Sequence, residues 1–164
     1  MFTRLPLFLI VAVTLVGLAN YRLTGKESTS DLRWYKGNLH THSLWSDGND
    51  YPEMIADWYK NQDYHFLALS DHNLLSRGDK WMDVALANKR GDIGGLARYR
   101  ERFGDNWVEL RDQDGKQQVR LKPLDEFRGR FEAPGKFLMI QAEEITDKFE
   151  KLPIHINEIG RAHV

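Results

Sequence analysis

The sequence predicts an α/β fold built on a parallel sheet, and three observations carry that reading. A strand-like segment, a helix and a second strand follow one another within about thirty-five residues, the length of a βαβ unit. The second strand, residues 64–70 (YHFLALS), is a short unbroken apolar run, as in strands buried on both faces. Most of the histidines and several acids come directly after such runs, where α/β folds gather their functional groups beyond the carboxyl ends of the strands.

Residues 32–39 read as the first strand, ending at His40. Asn49 to Tyr51 form a turn, and Pro52 opens a helix at the first-turn position that tolerates proline. That helix, PEMIADWYKN, sets Met54, Ile55, Trp58 and Tyr59 on one stripe. After the 64–70 strand the chain becomes more polar. Trp81 to Asn88 and Leu96 to Phe103 read as helices, and 107–122 as a β-hairpin turning at Asp114-Gly115. Leu124 to Phe131 reads as a short helix, Ala133-Pro134-Gly135 as a break, 137–142 as a buried strand and 153–159 as the next strand. There is no internal repeat.

The first thirty residues are of another kind. Arg4 and the amino terminus precede a fifteen-residue uncharged run, Leu5 to Ala19. Gly17 and Ala19 stand at −3 and −1 of a cleavage point before Asn20, completing the pattern of a secretory signal. With Asn20 and Tyr21 the run extends toward an uncleaved anchor, so the sequence predicts export (periplasmic or extracellular) or membrane anchoring through residues 5–21. The expected organisation is a signal or anchor over 1–19, a polar linker over 20–31 and one α/β domain over 32–164.

A net charge of −1 gives no field that would draw nucleic acid. The chain has no cysteine, so a metal here must be held by imidazole and carboxylate. Those types cluster in four places: His40-Thr41-His42 with Asp47, Asp71-His72, Glu143-Glu144, and His155. His40 and His42 project to the same side of an extended segment and can share one ion. Glu144 has two oxygens with which to bridge two ions, and Asp71 is placed to orient an imidazole. Imidazole and carboxylate suit Zn, Mn or Fe, and clustered ions activate water. His65 reads as a strand residue and His163 as a tail residue. Arg77, Lys80, Lys89 and Arg90 lie in the polar insert, either as a solvated face or as a wall meeting a substrate phosphate.

Four segments in this order, GNLHTHSLWSDGN, FLALSDHN, IQAEEIT and LPIHINEIG, resemble the motifs of the PHP (polymerase and histidinol phosphatase) superfamily, over the chain from about Trp34 onward. The resemblance implies the N-terminal portion of a distorted (βα)7 barrel, with an atypical helical and β-hairpin insert between the second and third motifs. It implies up to three divalent ions: one on His40, His42 and Glu144, a second on Glu144 and His155, a third on Asp47 and His72. It also implies hydrolysis of a small-molecule phosphate ester by a metal-bound hydroxide, with Glu144, His155 and Asp71 as the catalytic group. The family's late Asp-x-His is absent after His155, so the sequence reads as a truncated form. The competing expectations are a metal-binding or degenerate domain with a sensing or scaffolding role, and a C–N bond hydrolase.

Overall fold

A computed structural model of the chain describes residues 32–91 and 94–160. The expected signal and linker, residues 1–31, and His163 lie outside the described residues. Tyr35 begins the compact unit that holds every element below. No helix among the described residues is long and apolar enough to cross a membrane.

The elements run β1 (Gly37–Asn38), α1 (Pro52–Asn61), β2 (Phe66–Leu69), β3 (Lys80–Asp83), α2 (Val84–Arg90), α3 (Gly95–Phe103), β4 (Leu110–Gln113), β5 (Lys116–Leu121), α4 (Leu124–Phe131), β6 (Leu138–Phe149) and β7 (Leu152–Ile159). They make two sheets. The larger has the order β1-β2-β6-β7, and the smaller, from the insert, is antiparallel in the order β3-β5-β4.

The expected βαβ unit is present, with β1 and β2 parallel. The first strand is shorter than expected, two paired residues in place of 32–39. A Cβ on Gly37 would lie 2.1 Å from the Phe66 ring, so this pairing requires glycine. Leu67, Ala68 and Leu69 of β2 are buried, and β2 runs parallel to β6 from Phe66↔Leu138 to Leu69↔Gln141. Helices α1 and α4 cover this part of the sheet through Ala56, Leu124, Phe127 and Phe131, packed with Leu67, Leu69 and Met139. Each such Leu or Phe contributes roughly 1.5–3 kcal/mol by leaving water.

Two expectations are corrected in the insert and in the last strands. The segment expected as a helix over Trp81 to Asn88 splits at Asp83. Its first part is β3, paired with β5 so that Met82 faces Val119, and only then does α2 begin. The strand expected over 137–142 runs on to Phe149. It exchanges partners on the way, leaving β2 and pairing antiparallel with β7 from Ala142↔Ile159 to Phe149↔Leu152. Glu144 and His155 therefore lie within strands and not beyond their ends. Along β6 Glu143, Ile145, Asp147 and Phe149 fall on one face and Glu144, Thr146 and Lys148 on the other, so the charged pair at 143–144 marks no strand end.

The insert shares a core with the loop after β1. Leu44, Trp45 and Tyr51 from the loop pack with Met82, Leu96, Tyr99, Val119 and Leu121. Its expected place as a wall beside the site thus has a physical basis, since the insert braces the loop that carries His42 and Asp47.

The stripe expected on α1 is also displaced. Its most buried residues are Pro52, Glu53 and Ala56, while Trp58 is 54% exposed. Glu53 goes inside because Tyr99 Oη and Trp107 Nε1 donate to its Oε1 at 2.6 and 3.1 Å. Burial pushes the Glu53 carboxyl above its usual range, against the pull of those hydrogen bonds, its own backbone and the Lys122 charge. A carboxyl raised in the folded state contributes stability at low pH and loses it as pH rises. The loss starts near the ordinary value of 4.5 and ends at the raised one. Across that window the unfolding free energy falls by up to about 1.4 kcal/mol per pH unit. Glu53→Gln, with an amide for the protonated carboxyl, is expected to flatten the curve. Melting temperatures from pH 4 to 8 check this, and parallel curves for the two proteins would contradict it.

Candidate metal centre

The site is assembled by strand register. Past Leu69 the chain continues alongside β6: Glu144 N–H donates to Asp71 O at 3.0 Å and Asn73 N–H to Glu144 O at 2.9 Å. This brings His72 beside Glu144 in a parallel bridge. Within the β6–β7 hairpin, Glu144 pairs with Asn157 and Thr146 with His155, so all four share one face. Glu143 falls on the other face, opposite Glu158. The loop from β1 supplies His40, His42 and Asp47. It folds back so tightly that a Cβ on Gly48 would lie 2.4 Å from His42 O.

Four imidazoles stand in a row, with ring centres 4.7 Å apart for His40 and His42, 4.3 Å for His42 and His72, and 5.7 Å for His72 and His155. Beneath them lies Glu144, its side chain 5% exposed. Glu144 Oε2 is 2.8 Å from His42 Nε2, 2.9 Å from His72 Nδ1 and 3.9 Å from His40 Nε2, while Oε1 is 2.8 Å from His155 Nδ1. Asp47 reaches His42 Nδ1 at 2.9 Å and His72 Nε2 at 3.5 Å. Burial raises the Asp47 carboxyl, but the hydrogen bond and charge of His42 and the charge of His72 outweigh it, and its pKa lies below the ordinary value.

Three overlapping sets are positioned to hold a metal ion: His40, His42 and Glu144; His42, Asp47 and His72; and His72, Glu144 and His155. The donors fit such an ion. His42 Nε2 and Glu144 Oε2 are buried and 2.8 Å apart, yet neither has the geometry of a hydrogen bond to any partner. Two buried polar atoms side by side without hydrogen-bond partners are costly alone and are satisfied by a shared cation.

Asp71 is placed differently from expectation. It is fully buried, and its oxygens accept from Ser43 N and Oγ at 2.7 and 2.8 Å and from Ser46 N and Oγ at 3.0 and 2.6 Å. It holds the loop between His42 and Asp47 and orients no imidazole. His65 lies just ahead of β2, where its Nδ1 accepts from Lys36 N–H at 2.9 Å, apart from the cluster. A cavity of about 560 Å³ lined by Tyr35, Phe66 and Phe137 opens at the amino ends of β2 and β6, the opposite end from the histidines.

Two contributors escape sequence reasoning. Asn157 Oδ1 lies 2.8 Å from His40 Nδ1. A carboxamide oxygen only accepts, so the His40 proton sits on Nδ1 and its Nε2 lone pair faces Glu144. The Thr146 hydroxyl lies 2.6 Å from His72 Nδ1 and 3.3 Å from His155 Nδ1. The signal available was the spacing in HIN and EIT, since residues two apart on a strand share a face. Asn157→Ala is expected to weaken metal affinity about 10–100-fold while Asn157→Asp, which keeps an acceptor, retains it. Competition against a fluorescent chelator measures both; unchanged affinity in the alanine variant would remove Asn157 from the site.

No family model, no curated protein and no solved structure matches the chain. The histidine and carboxylate cluster is thus the feature of the molecule that speaks most directly to its chemistry.

Proposed function

We propose that this chain carries a metal-dependent phosphoesterase site of the PHP kind, on the curved sheet edge of a barrel of that family. The observation that carries the reading is Glu144, a buried carboxylate whose two oxygens are approached by different histidines, Oε2 by His42 and His72 and Oε1 by His155. A neutral imidazole offers one lone pair to one ion. His42 and His72 each belong to two of the three sets, so the cluster would hold two ions, one by His40, His42 and Glu144 and the other by His72, His155 and Glu144. Nitrogen and oxygen donors without sulfur favour Zn, Mn or Fe.

When bound, such ions supply Lewis acidity and bring the pKa of water toward neutrality. The protein does the rest. Glu144 bridges from the buried side. His40 and His155, with side chains 49% and 44% exposed, flank the open side, where a phosphate ester enters. Asn157 and Thr146 fix the rings, and Asp71 is a positioning residue that fixes the loop. The exposed edge between His40 and His155 would receive the phosphoryl group, and water activated there would displace the alcohol.

The test is hydrolysis of 4-nitrophenyl phosphate and bis(4-nitrophenyl) phosphate by the full chain reconstituted with Zn or Mn. Cleavage that a chelator abolishes and added metal restores supports the reading. A metal-loaded protein that cleaves neither ester but opens an amide belongs with the C–N hydrolases, and one that cleaves none of them is a binding domain.

A further inference from the structure

Beside the metal cluster the insert presents two cations without a carboxylate. Lys80, the first residue of β3, donates from Nζ to Trp45 O, and Arg90, the last of α2, donates from Nη1 to Ser46 O. The two carbonyls are consecutive, and the next residue is Asp47, whose carboxylate reaches His42 and His72. Several other cations of the insert are neutralised: Arg98, Arg102, Lys116, Arg120 and Lys122 each pair with an aspartate or glutamate. Among the described residues, Lys80 and Arg90 form no such pair. Both are half-buried, and Lys80 also lies over the buried Trp45 ring, 5.5 Å from its centre.

Their charges act on one another. Burial lowers the Lys80 pKa, Asp71 raises it and Arg90 lowers it again. Asp71 gives limited relief, because its oxygens are already taken by Ser43 and Ser46. Each cation uses one donor on its carbonyl, leaving two on the ammonium and four on the guanidinium. Two like charges at a half-buried site, with donors to spare and no carboxylate paired to either, are completed by an oxyanion.

We infer that Lys80 and Arg90 form a distal anion subsite beside the metal cluster, and that the substrate is a phosphate ester bearing a second anionic group, such as a second phosphate. The substrate class rests on the phosphoesterase reading; the anion binding does not. Lysine gives a point charge and arginine a planar fork, a pair that suits a tetrahedral oxyanion better than a flat carboxylate. Both reach the loop from the insert, so the subsite is a property of that segment.

The experiment separates the two claims. Inorganic phosphate is titrated calorimetrically into the full chain stripped of metal, with Lys80→Gln/Arg90→Gln as the comparison. The glutamines keep an amide donor for each carbonyl and remove the charge, and thermal melting verifies folding. The wild type is expected to bind phosphate with an affinity that falls as salt rises, and the double variant about tenfold or more weaker. In the metal-loaded protein, the ratio of kcat/KM for a bisphosphorylated alcohol over its monophosphate is expected to fall by about the same factor in the variant. No phosphate binding by the wild type, or equal binding by a folded variant, overturns the subsite. Phosphate bound through the two cations in a protein that cleaves no ester leaves the subsite standing and defeats the phosphoesterase reading. If the double variant does not fold, Arg90→Gln alone carries the test, with the same two outcomes.

Discussion

Glu144→Gln is expected to leave less than about a tenth of the wild-type metal and to lower kcat/KM for phosphate ester hydrolysis about a thousandfold or more. The carboxamide fills the same volume but lacks the negative charge and offers only one oxygen to bridge with. Glu144 belongs to two of the three ligand sets, so each of the two proposed ions would lose a ligand. The residue is buried among His42, His72 and His155, so melting is measured beside metal content to separate this effect from misfolding. In metal-free protein the carboxylate leaves a buried oxygen unpartnered, so the glutamine variant is expected to melt no lower than the wild type. Metal content, kinetics and melting together check the prediction. A variant that keeps its metal contradicts the bridging role, and one that melts much lower shows a structural role instead.

Asp71→Ala is expected to cost about 3–5 kcal/mol of stability, because it strips a fully buried carboxylate from four hydrogen bonds. The serine hydroxyls can turn elsewhere and Ser46 N–H keeps Ser43 O at 3.1 Å, but the Ser43 N–H is left without an acceptor. For a chain of this size the loss lowers the melting temperature by roughly 10 °C. Asp71→Asn keeps the volume and one acceptor, and its loss is expected to be smaller. Because the loop carries His42 and Asp47, metal affinity falls along with stability. Scanning calorimetry of the metal-free proteins reads the first effect. A melting temperature unchanged in the alanine variant contradicts the anchoring role.

Where sequence and structure agree, the cause is local. Pro52 fixes the start of α1, and Asp114-Gly115 turns the hairpin with φ of 52° and 73°, angles that its residues tolerate. The apolar run after His65 is legible as a buried strand from its own residues, and it becomes β2 between β1 and β6. Where they part, the cause is tertiary. Nothing near Met82 announces that it pairs with Val119, so the start of the insert looks helical. Glu53 reads as a surface charge until Tyr99 and Trp107, far along the chain, supply its donors. The site residues carried their own chemistry in their types: each of His40, His42, Asp47, His72, Glu144 and His155 is recognisable as a ligand, and the structure brings all six together. The supporting groups did not. Asn157 and Thr146 are ordinary strand residues until the β6–β7 register sets them against His40, His72 and His155. Asp71, attractive as an imidazole partner, instead secures the loop, a role visible only once Ser43 and Ser46 are seen to fold over it.

Elemental analysis of the purified full chain shows whether the histidine row and Glu144 hold metal. After incubation with Zn or Mn and removal of the excess, about two equivalents per chain are expected, falling to about one or fewer when His40 and His42 are both replaced by alanine, since only the His40, His42 and Glu144 set loses both its imidazoles. A folded wild-type protein that retains none would contradict the metal centre.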